Sequence, residues 1–206
     1  MKISTKPRVE RGLSTLETNE LVIDFETTGI DHETLRIVEV GLIGVDRHYG
    51  DTFYIESMIE HGDIQENIDT IMSIPALVEM HTENGIVDDL ERMLSGDCVG
   101  MTPAVLEQTI LDFLPDGTQI ILGGSGANFE YEILRRHLPN LFARMSPFID
   151  DAGPQRRGYR NAVGHNLTDF TKDKTHRGFG DARAHLAELR AFRDYHKRVE
   201  KLLRVS

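Results

Sequence analysis

From Glu20 onward the chain alternates between apolar and polar positions. In "ELVIDFE", "RIVEVGLIGVD" and "DTFYIE" β-branched and aromatic residues recur with a period of two, separated by turns rich in Gly, Asp and His. That spacing predicts three consecutive strands in a meander. Between residues 65 and 115 the period lengthens to that of a helix, in "SIPALVEMH", "IVDDLERMLSG" and "TPAVLEQTILDFLP". The last has Thr102 as N-cap, Pro103 at the first helical position and apolar residues at 105, 106, 110 and 113. "GTQIILGG" reads as a buried strand, "ANFEYEILRRHLP" as a helix stopped by Pro139, and "SPFIDD" as a short strand. "AGPQRRGYRNAVGHN" reads as a loop, and "GDARAHLAELRAFRDYHKRVEKLL" as a long helix with Ala182, Leu186, Leu189 and Phe192 on one face. The order describes an α/β fold, a mixed sheet covered by helices. Residues 1–18 lack periodicity and are expected to be a loose arm or an early edge element, with one ordered domain over 19–206.

Composition narrows the partners. At 206 residues and 39% hydrophobic content the chain supports one well-buried domain. Its net charge of −11 disfavours a long non-specific grip on duplex DNA, so contact with nucleic acid requires a local basic patch or metal ions. The single Cys98 offers neither an internal disulfide nor a thiolate cluster, which fits a reducing compartment. Apolar runs such as "QIILGG" fall far short of the roughly 18 residues of a membrane span. The opening "MKISTKPRVERGLSTLETNE" has no apolar signal region, and a cytoplasmic protein without membrane contact is expected.

Three acidic constellations interrupt this pattern. In "LVIDFETTGI", Asp24 and Glu26 occupy positions i and i+2 of a strand and so share a face, while Ile23 and Phe25 point the other way. Adjacent carboxylates repel unless a cation lies between them, and an all-oxygen set suits Mg²⁺ or Mn²⁺. The ordinary alternative is a half-exposed strand turning its acids to water. Glu130, in "GGSGANFEYEIL", lies near a helix start behind a run of small residues, where an acid also simply complements the helix dipole. In "HRGFGDARAHLAEL", Asp181 opens the last helix and has an obvious alternative role as its N-cap. His176 lies in a glycine-containing loop whose charged neighbours Lys174 and Arg177 indicate exposure, a setting suited to proton transfer.

A strand bearing D-x-E, an acid at a helix start about a hundred residues on, and a C-terminal H-x-x-x-x-D together resemble the DEDDh (DnaQ-like) family of 3′→5′ exonucleases. Within it the chain is most similar to the oligoribonucleases. "LVIDFETTGIDHETLRIVEVGLIGVD" resembles their first strand pair, "HTENGI" their His-x-x-Ser-Gly-Leu loop, and "HRGFGDARAHLAEL" their last motif. The likeness runs over roughly residues 20–195. Two positions depart from the pattern: Glu130 stands where the family carries Asp, with Glu132 two residues further round the helix, and the chain has no Trp on which to stack a terminal base.

The resemblance implies a ribonuclease H-like mixed sheet flanked by helices and two-metal hydrolysis of short single-stranded RNA to nucleoside 5′-monophosphates. It implies two Mg²⁺ or Mn²⁺ ions about 4 Å apart. Asp24 would bridge them, Glu26 and Asp181 would complete their ligation, Glu130 would hold one ion directly or through water, and His176 would take the proton from the attacking water. Thr27 and Ile30 would touch the terminal nucleotide, His81 the neighbouring base or sugar, and Ser125 would be the polar residue before the second motif. Arg135, Arg136, Arg156, Arg157 and Arg160 are candidates for a cationic rim, and a homodimer is expected. Two alternatives remain open: a DnaQ-like exonuclease acting on single-stranded DNA, and a catalytically weakened exonuclease fold serving as a binding module.

Overall fold

The computed structural model describes residues 6–168 and 175–205. Its centre is one six-stranded sheet, ordered from edge to edge as Arg8–Arg11, Asp51–Met58, Ile37–Val45, Glu20–Thr27, Ile120–Gly124 and Met145–Asp151. The predicted meander is β2 (Glu20–Thr27), β3 (Ile37–Val45) and β4 (Asp51–Met58), paired antiparallel; β5 (Ile120–Gly124) and β6 (Met145–Asp151) add in parallel beside β2. β1 (Arg8–Arg11), inside the segment expected as an arm or edge element, pairs with β4 and forms one edge of the sheet.

Period-two alternation in β2 divides the core. Leu21, Ile23 and Phe25 join the cluster containing Ile55, Leu106, Ile110, Ile133 and Leu134, which seats α4 (Pro103–Leu111) and α5 (Asn128–His137) on one face. Val22 turns to the other face with Ile43 and Val45, against Ala182, Leu186, Leu189 and Phe192 of α8 (Gly178–Val205). Burial on both faces explains the nearly continuous apolar run, each large side chain contributing about 1.5–3 kcal/mol. A third cluster joins Val38 and Met58 to Ile68, Ile71, Ile86 and Leu90 of α1 (Ile64–Met72) and α3 (Ile86–Leu94), with α2 (Pro75–Glu83) between them. Thr102 caps α4 as its sequence predicts, accepting the Val105 amide at 3.3 Å.

One element departs from the sequence reading. The segment taken as a loop forms α7 (Ala152–Val163), which follows the short α6 (Pro139–Phe142) and β6. Gly153, Gly158 and Pro154 depress its helix propensity. The helix is held by context instead: the Asp151 side chain accepts the Gly153 amide at 2.7 Å, Gly164 closes the C-terminus at φ 82°, and both Nη1 contacts from Arg156 to the Glu188 carboxylate on α8 are 2.8 Å. Among the described residues, no helix is long and apolar enough to cross a membrane.

Candidate active site

Asp24 and Glu26 project from β2 toward α8, on the same face as Val22. Asp181 reaches them from the first turn of α8 because that helix lies directly on the sheet. A Cβ placed on Gly41 of β3 would fall 1.9 Å from the Phe179 amide nitrogen, and one on Gly178 would fall 2.9 Å from the Asp24 carbonyl oxygen. No side chain fits between these backbones, so glycines at both positions bring the helix start against the strand.

The result is a group of three carboxylates, Asp24, Glu26 and Asp181, with ligand oxygens all within 4.8 Å of one another. Glu26 is 7% exposed and Asp181 3%. Asp181 sits inside the helix rather than capping it, and its Oδ1 accepts the Thr175 amide at 2.9 Å, tying the preceding loop to the helix. Glu130 lies on the buried side of α5 with Ile133 and Leu134 but is not a member of the three-carboxylate group. Glu132 turns outward and pairs with Arg135 at 2.5 Å.

Two buried residues near the acids escaped the sequence reading. His185 is 4% exposed, with Nδ1 3.7 Å from Asp24 Oδ1. Its spacing of four from Asp181, which places both on one face of α8, was the available signal. Glu39, paired across the ladder with Glu26, is fully buried, and burial pushes its carboxyl up to about 8 despite Arg177 3.0 Å away.

His176 is exposed, as expected, with a left-handed backbone at φ 49°. Its neighbour Arg177 is not exposed: it is buried between Glu39 and Asp89, whose Oδ2 accepts its Nη2 at 2.8 Å. The charge of Arg177 therefore did not report solvent. Lys174 lies outside the described residues.

The substrate-contact candidates divide similarly. Ile30 is 83% exposed on the turn after β2, which Thr27 shapes by donating its hydroxyl to the Gly29 carbonyl at 2.6 Å. His81 was expected in a loop facing substrate, yet it occupies the last turn of α2 and is completely buried. Its Nε2 lies 3.1 Å from the Thr27 carbonyl oxygen, which can only accept, so that nitrogen carries the proton. Burial holds its pKa below the ordinary histidine value. Ser125 accepts from Arg156 at 3.2 Å. Of the expected cationic rim, Arg135, Arg136 and Arg156 are engaged by Glu132, Glu33 and Glu188, while Arg157 and Arg160 remain exposed.

Comparison with known proteins bears on the family likeness and the fold. No family model matches the chain. It is 26% identical over 198 residues to the oligoribonuclease of Actinobacillus pleuropneumoniae serotype 5b (strain L20), spanning 92% of this chain and all of the relative. The oligoribonuclease of Escherichia coli (strain K12) is 27% identical over 192 residues, covering 89% of this chain and 98% of the relative. Among solved structures, E. coli exonuclease I in complex with a 5cy-dA13 oligonucleotide superposes with a TM-score of 0.56 at 15% identity over 84% of this chain. The chain spans only 40% of that larger protein, and the likeness is one of fold: the ribonuclease H-like sheet flanked by helices.

Proposed function

We propose that the protein is a metal-dependent 3′→5′ exonuclease that hydrolyses short single-stranded RNA to nucleoside 5′-monophosphates. The observation that carries this reading is the meeting of Asp24, Glu26 and Asp181, oxygens within 4.8 Å, across a strand and a helix far apart in sequence. End-to-end similarity to oligoribonucleases supports the same reaction.

The donor set fits divalent cations. Three carboxylates this close, two of them buried, repel one another strongly without positive charge between them, and an all-oxygen set suits Mg²⁺ or Mn²⁺. Asp24 would be shared between two ions, Glu26 and Asp181 would complete the ligation, and Glu130 would hold one ion directly or through water. When bound, such ions neutralise charge on the phosphoryl group and on the departing 3′ oxygen.

The chain's own residues do the rest. The rigid sheet and the Gly41–Gly178 contact hold the carboxylates in place, so that no reorganisation is needed as substrate arrives. His176, exposed beside the group in sequence, takes the proton from the attacking water on an imidazole nitrogen. Ile30 offers an apolar surface to the terminal base, in a chain without Trp.

Side-by-side digestion of 5′-labelled RNA dinucleotides, RNA pentamers and a long DNA strand, with Mg²⁺, Mn²⁺ or chelator, tests the proposal. Rapid metal-dependent loss of the short RNA is expected. Preference for the long DNA strand would move the protein to the DNA-trimming alternative, and absence of cleavage with any metal would overturn the reading.

A further inference from the structure

His176 adopts a backbone conformation that a residue with a Cβ avoids unless its surroundings impose it. What imposes it here is the junction between α2 and α3. The Asn84 side-chain amide donates to the His176 carbonyl, and the Asn84 carbonyl accepts Arg177 Nη1 at 2.9 Å. Arg177 is itself immobilised by Asp89 and Glu39.

Asn84 is equally fixed on its other side. Its Oδ1 accepts the Ile86 amide at 3.0 Å, and its Nδ2 lies 3.5 Å from His81 Nδ1, the nitrogen left unprotonated when Nε2 donates to Thr27. A single polar chain therefore runs from Thr27, next to Glu26, through His81 and Asn84 to His176.

We propose that Asn84, braced by Arg177, is a positioning residue that sets the His176 backbone and so aims its imidazole at the site of water attack. This rests on the reading of His176 as proton acceptor. "HTENGI" accordingly serves as an internal bracket between the strand end and the C-terminal loop, and its histidine is spent on the Thr27 carbonyl rather than on substrate. The bracket also accounts for the buried charges of Arg177, Glu39 and Asp89, for which the three-carboxylate group has no use.

Asn84→Asp is the discriminating substitution. It preserves shape and the Oδ1 acceptor for Ile86, but removes the donor to His176. Asn84→Ala, which adds no charge, is the companion variant. Both are compared with wild type by kinetics on short RNA with Mg²⁺ and by amide hydrogen exchange of the metal-free protein. The expected result is a kcat lower by about 10- to 10²-fold with KM little changed, the usual cost of a misplaced catalytic group. Exchange should accelerate at residues 175–178 and remain as in wild type within β2 and β3. Folded variants with wild-type kcat, or with wild-type exchange at His176 and Arg177, would overturn the proposal. A wild-type protein without nuclease activity would instead overturn the reading of the site, and the exchange comparison would still decide whether Asn84 holds the His176 backbone.

Discussion

Gly178 at the start of α8 packs on Gly41 of β3 backbone to backbone, and a Cβ on Gly178 would fall 2.5 Å from the Gly41 amide nitrogen. This contact sets how close Asp181 comes to Asp24. Gly41→Ala forces helix and strand apart, so it should destabilise the fold by about 1–3 kcal/mol, in the range of overpacked cores. It should also weaken Mn²⁺ binding. Denaturant unfolding and titration calorimetry measure the two effects, and a stable variant with wild-type Mn²⁺ affinity would show that the contact does not govern the site.

Asp24→Asn and Asp181→Asn each remove one carboxylate from a crowded set. Metal-dependent RNA cleavage should disappear, while the metal-free protein should melt no lower than wild type, because neutralising one of three neighbouring carboxylates relieves repulsion. Retention of more than a few per cent of activity in either variant contradicts the ligand assignment. Glu130→Asp, which shortens the α5 carboxylate by one methylene, should leave folding intact and change metal affinity if that side chain reaches an ion.

His176→Ala should lower turnover by about 10² to 10⁴-fold, the usual worth of a general base. Its side chain is exposed, so the melting temperature should stay close to that of wild type. A folded variant that turns over short RNA at the wild-type rate assigns proton transfer elsewhere.

Glu20 gives the protein a pH-dependent stability unrelated to the reaction. Burial, reinforced by Asp150, pushes its carboxyl from 4.5 up to about 7, against the opposing pull of Arg193 3.7 Å away. A raised carboxyl means the folded state binds the proton more tightly than the unfolded chain does. Its contribution is complete below about pH 4.5 and is lost as pH rises through 7. Glu39, raised to about 8, acts in the same direction. Glu20→Gln should therefore flatten the decline in stability between pH 5 and pH 8, as measured by urea unfolding at each pH; an unchanged slope assigns the decline to other groups.

The period-two runs and the capped helix of residues 103–111 were legible because their signals are local: alternation over a few residues and a Thr-Pro helix start decide strand and helix without reference to the rest of the chain. α7 was not, because Asp151, Gly164 and the Arg156–Glu188 pair hold a glycine-rich segment helical from outside it. Arg177 misled for a related reason. A charged residue in a glycine-flanked loop reads as exposed, whereas two carboxylates from β3 and α3 make its burial favourable.

The sequence by itself determined that Asp24 and Glu26 stand side by side, because the D-x-E spacing in a strand obliges them to share a face. The tertiary structure alone decided which of the other candidates join them. Asp181 does so because Gly41 and Gly178 let a helix start touch the sheet, whereas Glu130 lies outside the three-carboxylate group and His81 turns inward to Thr27. Distances between residues over a hundred positions apart depend on how helices pack against the sheet, and residue spacing along the chain does not encode them.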